Sequence, residues 1–175
     1  MKKKVFIING SGGVGKDTFV SMVANASEAP VMNFSSVDKI KKIAEIIGWT
    51  GAKTEKDRRF LSDLKLLCTE YNDMPFNSMN EKVKEFYDNS AAMLFLHIRE
   101  PEEIEKAKEA FNARTILIKR DSVKQITTNM ADKNVFNYRY DIIIDNNGSL
   151  NALRERATNF AKYYSDDEAL VRSMA

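Results

Sequence analysis

The sequence predicts an α/β protein built on a doubly wound parallel sheet. Short apolar runs rich in β-branched residues alternate along the chain with segments in which apolar residues recur at helical spacing. The apolar runs are continuous, which is typical of parallel strands buried on both faces. At 175 residues, the chain has the length of one domain. We therefore expect strands and helices to alternate around one central sheet.

The first elements are a strand, a glycine-rich turn, a helix and a second strand. Val5–Ile8 is a continuous apolar run and predicts the first strand. After the glycines, a helix is predicted by the spacing of Phe19, Val23 and Ala26. Val31–Phe34 predicts the second strand.

Residues from about 35 to 90 are predicted to be helical, with no clear strand among them. Ser35, Thr54 and Ser78 each precede an acidic residue by three positions, a pattern typical of a capped helix start. The helix after Thr54 is predicted to bury an apolar face made of Phe60, Leu61, Leu64, Leu67, Cys68 and Tyr71.

Three strands and two helices are predicted in the second half. Ala92–Ile98, Thr115–Ile118 and Tyr140–Ile144 are the strands, and Pro101 stands at a natural first-turn position of a helix. The final helix is predicted by Leu150, Leu153, Ala157, Phe160 and Tyr164. The long polar connection of residues 121–139 favours a lid, because such connections in compact domains are often functional.

The composition excludes few functions, but the charge and the cysteine count indicate the kind of partner and the cellular compartment. Lys and Arg number 27 against 25 Asp and Glu, so the net charge of +2 calls for neither nucleic acid nor a membrane surface. A single cysteine, Cys68, permits no intrachain disulfide and suits a reducing compartment. The apolar run after MKKK is too short for a signal peptide. We expect a cytoplasmic protein.

A glycine-rich stretch directly follows the first predicted strand. Gly10, Gly15 and Lys16 match the phosphate-loop pattern G-x-x-x-x-G-K-[ST], except that Asp17 holds the last position. Glycines let backbone N–H groups approach an anion closely, and the next helix presents its positive end. The alternative is an ordinary glycine-rich turn. We interpret the stretch as a nucleotide-phosphate site formed by Gly10, Ser11, Gly12, Gly13, Val14, Gly15, Lys16, Asp17 and Thr18.

Asp17 leaves two interpretations open. Its carboxylate would bind Mg²⁺ directly or through water, in place of the usual neutral hydroxyl. Alternatively, Asp17 stabilises only the helix N-terminus, and Thr18 or water serves the metal.

Gly-Lys-Asp-Thr in a phosphate loop resembles the phage deoxynucleoside monophosphate kinases, and animal-type phosphomevalonate kinases also carry Gly-Lys-Asp. The resemblance runs in pieces over residues 4–162. It implies a three-layer P-loop NTPase fold with a five-stranded parallel sheet, formed by one domain (residues 1–164) and a tail (residues 165–175). Residues of about 35–90 would then bind the acceptor, and residues of about 121–139 would form the lid.

Two further stretches carry this resemblance. In LFLHIREPEEI, Arg99 and Glu103 match a family strand that ends in Asp-x-Arg with a Glu four residues after the Arg, and Arg120 matches an Arg after the next strand. His97 departs from the pattern by occupying the place of the Asp. DIIIDNNGSLNALRE is similar to the segment beside the donor adenine in phage and dephospho-coenzyme A kinases. This implies adenine contacts from Asn146, Asn147, Gly148 and Ser149. The segment equally fits a strand-to-helix turn with Gly148 as the bend and Ser149 as the cap, and both can be true at once.

The resemblance also implies ATP and Mg²⁺, with Lys16, Arg99 and Arg120 as catalytic residues. Lys124 and Arg139 would act at the edges of the lid, whose segment from Ser122 to Tyr138 contains no arginine. One of Arg58 and Arg59 would bind a monophosphate through its planar fork. The alternative is that both belong to a solvated helix face. The acceptor set comprises Ser35, Asp38, Arg58, Arg59 and His97. His97 joins it as a residue at a predicted strand end, where α/β sites gather, and its alternative is an ordinary polar residue at a sheet edge.

The leading hypothesis is ATP-dependent phosphoryl transfer to a nucleoside monophosphate, with a deoxynucleotide as one form. Another small acceptor, such as dephospho-coenzyme A, is the first alternative. A nucleotide-binding protein without phosphotransfer is the second, and His97 and the arginine-poor lid favour it. The partners in the first two hypotheses are a nucleotide donor and a small acceptor, and the oligomeric state stays open.

Overall fold

The computed structural model describes residues 3–123 and 135–165. The elements alternate in chain order. The strands are β1 (Lys4–Asn9), β2 (Val31–Ser35), β3 (Met93–His97), β4 (Arg114–Lys119) and β5 (Ile142–Asp145). The helices are α1 (Lys16–Ala26), α2 (Asp38–Ile46), α3 (Glu55–Asn72), α4 (Met74–Asp88), α5 (Pro101–Phe111) and α6 (Leu150–Ser165).

The five strands form one parallel sheet in the order β2-β3-β1-β4-β5. β1 lies at the centre, between β3 and β4, and its apolar run is fully enclosed because helices cover both faces. The predicted fold class, an α/β protein with a five-stranded parallel sheet, is confirmed.

Alternate residues of β1 enter two separate cores, as the period of two in a strand requires. Phe6 and Ile8 pack with α1 and α6, where Phe6 lies 5.0 Å from Phe160 between ring centroids. Val5 and Ile7 pack on the opposite face with α4 and α5. Burial of these large apolar groups supplies the main stabilisation of the layers.

The start of α4 differs from its predicted position. α4 begins at Met74 and not at Ser78, because Pro75 occupies its first turn and Asp73 adopts a left-handed conformation before it. Ser78 lies inside the helix and donates a hydrogen bond back to the Met74 carbonyl at 2.7 Å.

The predicted apolar face of α3 is wrong in part. Leu67 and Tyr71 are 63% and 88% exposed, whereas Lys65 is buried. The capping box predicted at the start of this helix is confirmed, because the Thr54 and Asp57 side chains cap each other's backbone N–H groups.

Within the described residues, 3–123 and 135–165, no helix is both long enough and apolar enough to cross a membrane.

Candidate active site

The candidate site lies at the carboxyl edge of the sheet, where parallel α/β sheets gather their functional groups. β1 ends at Asn9 and runs into the glycine loop. The neighbouring strands end at His97 and Lys119, so Arg99 and Arg120 follow on either side of that loop. Both arginines are exposed.

The glycine loop has a backbone that requires glycine. Gly10, Gly13 and Gly15 have φ angles of 145°, 84° and 97°. A Cβ on Gly10 would lie 2.5 Å from the Ile118 carbonyl oxygen, and one on Gly15 would lie 2.6 Å from Asn146 Nδ2. The loop therefore packs too closely against β4 and Asn146 for a side chain at Gly10 or Gly15.

Asn9 fixes the start of the loop, and sequence reasoning missed it. Its side chain is fully buried, and its Oδ1 accepts the Gly10 N–H at 2.8 Å. Its Nδ2 donates to the Arg99 carbonyl at 3.1 Å and to the Tyr140 hydroxyl at 2.7 Å. Asn9 thus ties the ends of β1 and β3 to the segment before β5, and its position before the first glycine was the one available signal.

Asn146 fixes the other end of the loop. Its buried side chain donates to the Val14 carbonyl at 2.8 Å, and its N–H donates to the Lys119 carbonyl at 2.7 Å. Asn147, Gly148 and Ser149 are exposed beside it. The Ser149 hydroxyl accepts the Ala152 N–H at 3.2 Å, which is a helix-capping contact at the start of α6.

Lys16 lies over the loop at the start of α1. Its ammonium donates to the Gly10 carbonyl and, at 3.0 Å, to the Ser11 carbonyl. The Ser11 hydroxyl oxygen is buried inside the loop and has no hydrogen-bond partner within the described residues. A lysine, a buried hydroxyl and the N-terminus of a helix therefore converge where an anion would bind.

Asp17 and Thr18 follow on the first turn of α1, and both are exposed, Asp17 to 91% of its side chain. Both present oxygen donors, which suit Mg²⁺. The described part of the chain has no group of three or more His, Cys, Asp or Glu that could hold a metal. Mg²⁺ fits this sparse set, since it usually takes one or two protein ligands together with substrate phosphates and water.

His97 faces Asp17 from the end of β3. Its Nδ1 lies 3.8 Å from Asp17 Oδ1, while its Nε2 is buried without a hydrogen-bond partner in residues 3–123 and 135–165. Burial lowers the pKa of His97 to about 4, the ammonium of Lys16 contributes to this lowering, and the Asp17 carboxylate opposes it. The imidazole is therefore neutral at neutral pH, and its contact with Asp17 is not an ion pair.

Ser35 and Asp38 lie beside His97. Ser35 pairs with His97 in the register of β2 and β3. The Asp38 carboxylate accepts the Ser35 N–H at 2.9 Å and lies 3.4 Å from the Lys41 ammonium. Asp38 thus shapes the start of α2 and also faces the edge where His97 lies.

Arg58 and Arg59 diverge on α3. Arg59 points to Asp63, 3.8 Å away, on an exposed face. Arg58 lies two helical turns before Lys65 and so shares its face, and its Nε donates to the Lys53 carbonyl at 3.2 Å.

Lys65 joins this face to the end of β3, a contact that the sequence analysis did not predict. Its buried ammonium donates to Glu100 at 2.6 Å and to Glu103 at 2.8 Å. Burial raises the pKa of Glu103 to about 7, and the Glu100 carboxylate contributes to this rise. Burial also acts to raise the pKa of Glu100, but Lys65 outweighs it and holds that pKa below its usual value.

The predicted lid is described only at its two ends. Val123 packs against the core, and the far end contains Val135, which is buried, and Arg139, which is exposed. Lys124 lies outside the described residues.

Comparisons with known proteins find similarity to solved structures and no match among family models or curated proteins. A solved sugar kinase from Janibacter sp. HTCC2649 is 14% identical with a TM-score of 0.51, over 93% of this chain and 95% of that one. Shikimate kinase from Aquifex aeolicus vf5 is 13% identical (TM-score 0.47, 92% and 98% covered). Thymidylate kinase from Ehrlichia chaffeensis is 9% identical (TM-score 0.46, 91% and 99% covered).

These identities are low, so the likeness concerns the fold alone, and of these three structures the sugar kinase is the one with a TM-score above 0.5. Together with the strand order and the glycine loop after β1, it defines the class of this protein: an α/β protein with the P-loop kinase fold.

Proposed function

We propose that this protein is an ATP-dependent kinase that phosphorylates a small acceptor, and that the acceptor is a nucleoside monophosphate. The observation that carries the proposal is the glycine loop after β1. Gly10 and Gly15 leave no room for side chains, and the Lys16 ammonium lies among loop carbonyls that a triphosphate would replace as partners. Such a loop binds the phosphates of a nucleotide.

The chain's own residues would act by positioning and by neutralising charge. In the transfer, an acceptor oxygen forms a bond to the γ-phosphorus while the bond between that phosphorus and the β–γ bridging oxygen breaks, which releases ADP. The loop N–H groups and Lys16 would hold the β and γ phosphates. Arg99 and Arg120, which flank the loop, would stabilise negative charge on the transferred group.

Mg²⁺ would be held by Asp17, with Thr18 beside it, and when bound it would neutralise charge shared between the β and γ phosphates. The fit rests on the donor set, because both side chains are exposed oxygen donors at the mouth of the loop.

The acceptor would occupy the side of the loop toward β2 and β3. We assign it to Ser35, Asp38, Arg58 and His97, with Arg58 as the monophosphate ligand, because Arg58 shares the face of α3 that contacts the start of α5. Residues of about 35–90 would thus form an acceptor region, and residues of about 121–139, with Lys124 and Arg139, a lid. Asn146, Asn147, Gly148 and Ser149 would border the adenine.

A nucleotide-binding protein without transfer is the second candidate. It is favoured by His97, a neutral group where the resembling kinases have a carboxylate. In either case, we propose a cytoplasmic location, where the free thiol of Cys68 stays reduced.

The test incubates purified protein with Mg·ATP and a panel of ribo- and deoxynucleoside monophosphates plus dephospho-coenzyme A, and measures ADP and phosphorylated acceptor. We expect ADP formation that depends on one acceptor class and disappears in Lys16→Ala. The matched control Lys162→Ala removes an exposed lysine of α6 and keeps full turnover. ATP binding without turnover of any acceptor would favour the second candidate, and failure to bind ATP would contradict both.

A further inference from the structure

The outer face of α2 and α3 exposes large apolar side chains. Ile46 at the end of α2 and Ile47 directly after it are 83% and 62% exposed. Leu66, Leu67 and Tyr71 of α3 are 57%, 63% and 88% exposed. Their helices carry buried residues on other faces, so this exposure is a property of one side of the pair. Monomeric proteins rarely leave a contiguous set of large apolar side chains exposed to solvent.

Two of these side chains, Leu67 and Tyr71, line one groove together with Ile43 of α2. This groove of about 390 Å³ runs between the two helices and is lined by Ile43, Leu67, Cys68, Tyr71, Asn72 and Met74. Ile46 and Ile47 follow Ile43 by one helical turn, so they continue the groove along α2. We call the set of Ile43, Ile46, Ile47, Leu66, Leu67 and Tyr71 the α2–α3 surface.

The size of the α2–α3 surface suits a protein partner. Its five most exposed side chains present on the order of 600 Å² of apolar area, since a large side chain has roughly 150–250 Å² in all. A stable interface takes about 800 Å² from each partner, most of it apolar at the centre. With its polar border, the surface therefore reaches the area that a stable dimer needs.

Both shape and charge make this surface complementary to itself. It contains a groove and, one turn away, two projecting isoleucines that would fill such a groove. Lys42 borders it on α2, and Glu70 borders it on α3. Both are exposed, and the described residues give neither an ion pair. A twofold axis that places α2 of one copy against α3 of the other would pair Lys42 with Glu70 twice.

We propose that the α2–α3 surface is the interface of a homodimer in which Ile46 and Ile47 of each copy enter the groove of the other. The groove falls within residues of about 35–90, the proposed acceptor region, but it is lined by none of Ser35, Asp38, Arg58 and His97. The test measures mass, so its outcome does not depend on the proposed function. α2 and α3 also carry Asp38 and Arg58, so the dimer would hold these helices in place beside the site.

Sedimentation velocity on the full chain, from about 1 to 100 µM, measures the monomer–dimer equilibrium. We expect the wild type to sediment as a dimer at the upper concentrations. Tyr71→Glu and Ile46→Glu each place a charge in the interface and should raise the dissociation constant at least about 100-fold. Both positions are exposed, so the variants should fold, and circular dichroism checks this.

Leu150→Glu is the matched control, because Leu150 is 59% exposed but lies on α6, away from α2 and α3. It should dimerise as the wild type does. A wild type that stays monomeric at 100 µM would overturn the proposal, and so would a dimer that Tyr71→Glu and Ile46→Glu leave intact.

Charge reversal tests the arrangement itself. Lys42→Glu should weaken the dimer about fivefold to tenfold, because it sets like charges opposite each other. Adding Glu70→Lys in the same chain should restore the affinity. If the double variant is weaker than Lys42→Glu alone, the twofold pairing of α2 with α3 is wrong.

Discussion

Two features of the structure require glycine at position 10. Its φ of 145° lies in a region that residues with a side chain rarely adopt, and its α-carbon lies against β4 so closely that a Cβ would meet the Ile118 carbonyl. The Gly10 N–H in turn donates a hydrogen bond to Asn9 Oδ1. The loop is therefore held against the sheet before any ligand is bound, which leaves less ordering for a nucleotide to impose.

Gly10→Ala should lower the free energy of unfolding by about 2–5 kcal/mol, since it combines a backbone overlap with a strained φ. Gly51→Ala is the matched control. Gly51 also has a positive φ, of 84°, but a Cβ there would meet nothing within 4 Å. It should cost only about 1 kcal/mol. Urea unfolding of both variants measures the difference, and equal losses would show that the contact with β4 has no effect.

The glycines and Lys16 could be predicted from the sequence because their spacing is local. Asn9 and Asn146 could not be predicted as the supports of the loop, since their partners lie far along the chain: Asn9 contacts Tyr140, and Asn146 contacts Val14. The sequence indicated Asn146 only through a resemblance, in a different role. A buried amide with distant partners leaves no periodic signal in a sequence.

At the scale of elements, the ion cluster of Lys65, Glu100 and Glu103 fixes α3 to the start of α5. This bears on the predicted apolar face of α3, which was wrong in part. The periodicity contained Leu67 and Tyr71, but Lys65 is the buried residue, paired with Glu100 directly before α5 and with Glu103 in its first turn. The strands were better predicted, because each continuous apolar run is buried by the sheet itself.

Glu103 predicts a pH dependence of stability. Its pKa is about 7 in the folded protein and near 4.5 when unfolded, so the stability that it contributes is present below pH 4.5 and is lost as the pH rises through 7. His97 acts in the opposite sense over an overlapping range. Its folded pKa is about 4 against 6.5, so its contribution is present above pH 6.5 and is lost as the pH falls through 4.

Glu103→Gln isolates the first of these effects, because Gln can still accept the Lys65 hydrogen bond without a charge. We expect the variant to gain stability relative to the wild type between pH 5 and pH 7.5, by on the order of 1–3 kcal/mol. Urea unfolding at both pH values measures this gain. Glu102→Gln, an exposed neighbour on α5, should follow the wild-type curve. A constant difference between Glu103→Gln and the wild type would refute the linkage.

The two faces of α3 predict different effects for adjacent arginines, given the proposed kinase activity. Arg58→Ala should raise the KM for the phosphorylated acceptor about tenfold or more and leave kcat and the KM for ATP unchanged, because it removes a binding contact only. Arg59→Ala, the matched control, loses an exposed pairing with Asp63 and should leave all three constants unchanged. Steady-state kinetics with each substrate varied decides between them.

At the scale of the whole molecule, the strand order divides the candidate site. β1 carries the glycine loop at the centre, β4 and β5 lead to Arg120 and Asn147, and β3 and β2 lead to Arg99 and Ser35. A parallel sheet brings all of these ends to one edge, and the alternation of strands and helices predicted that edge correctly. The order of the strands, by contrast, is set by packing between distant segments, and neither the residue pattern nor the resemblance gave it.

This division gives a test on a single strand. Arg114 and Arg120 stand at opposite ends of β4, and Arg114 donates to the Tyr164 hydroxyl at 3.2 Å at the amino edge. Arg120→Ala and Arg99→Ala should each lower kcat by about 100- to 1000-fold, as expected for groups that stabilise transition-state charge.

Arg114→Ala should leave kcat unchanged and lower only the free energy of unfolding, by about 1 kcal/mol. Single-turnover kinetics and the binding of a fluorescent ATP analogue separate loss of chemistry from loss of affinity. The proposed role of the carboxyl edge would be wrong if Arg114→Ala lowered kcat as much as Arg120→Ala, since Arg114 begins β4 at the amino edge and Arg120 directly follows it at the carboxyl edge.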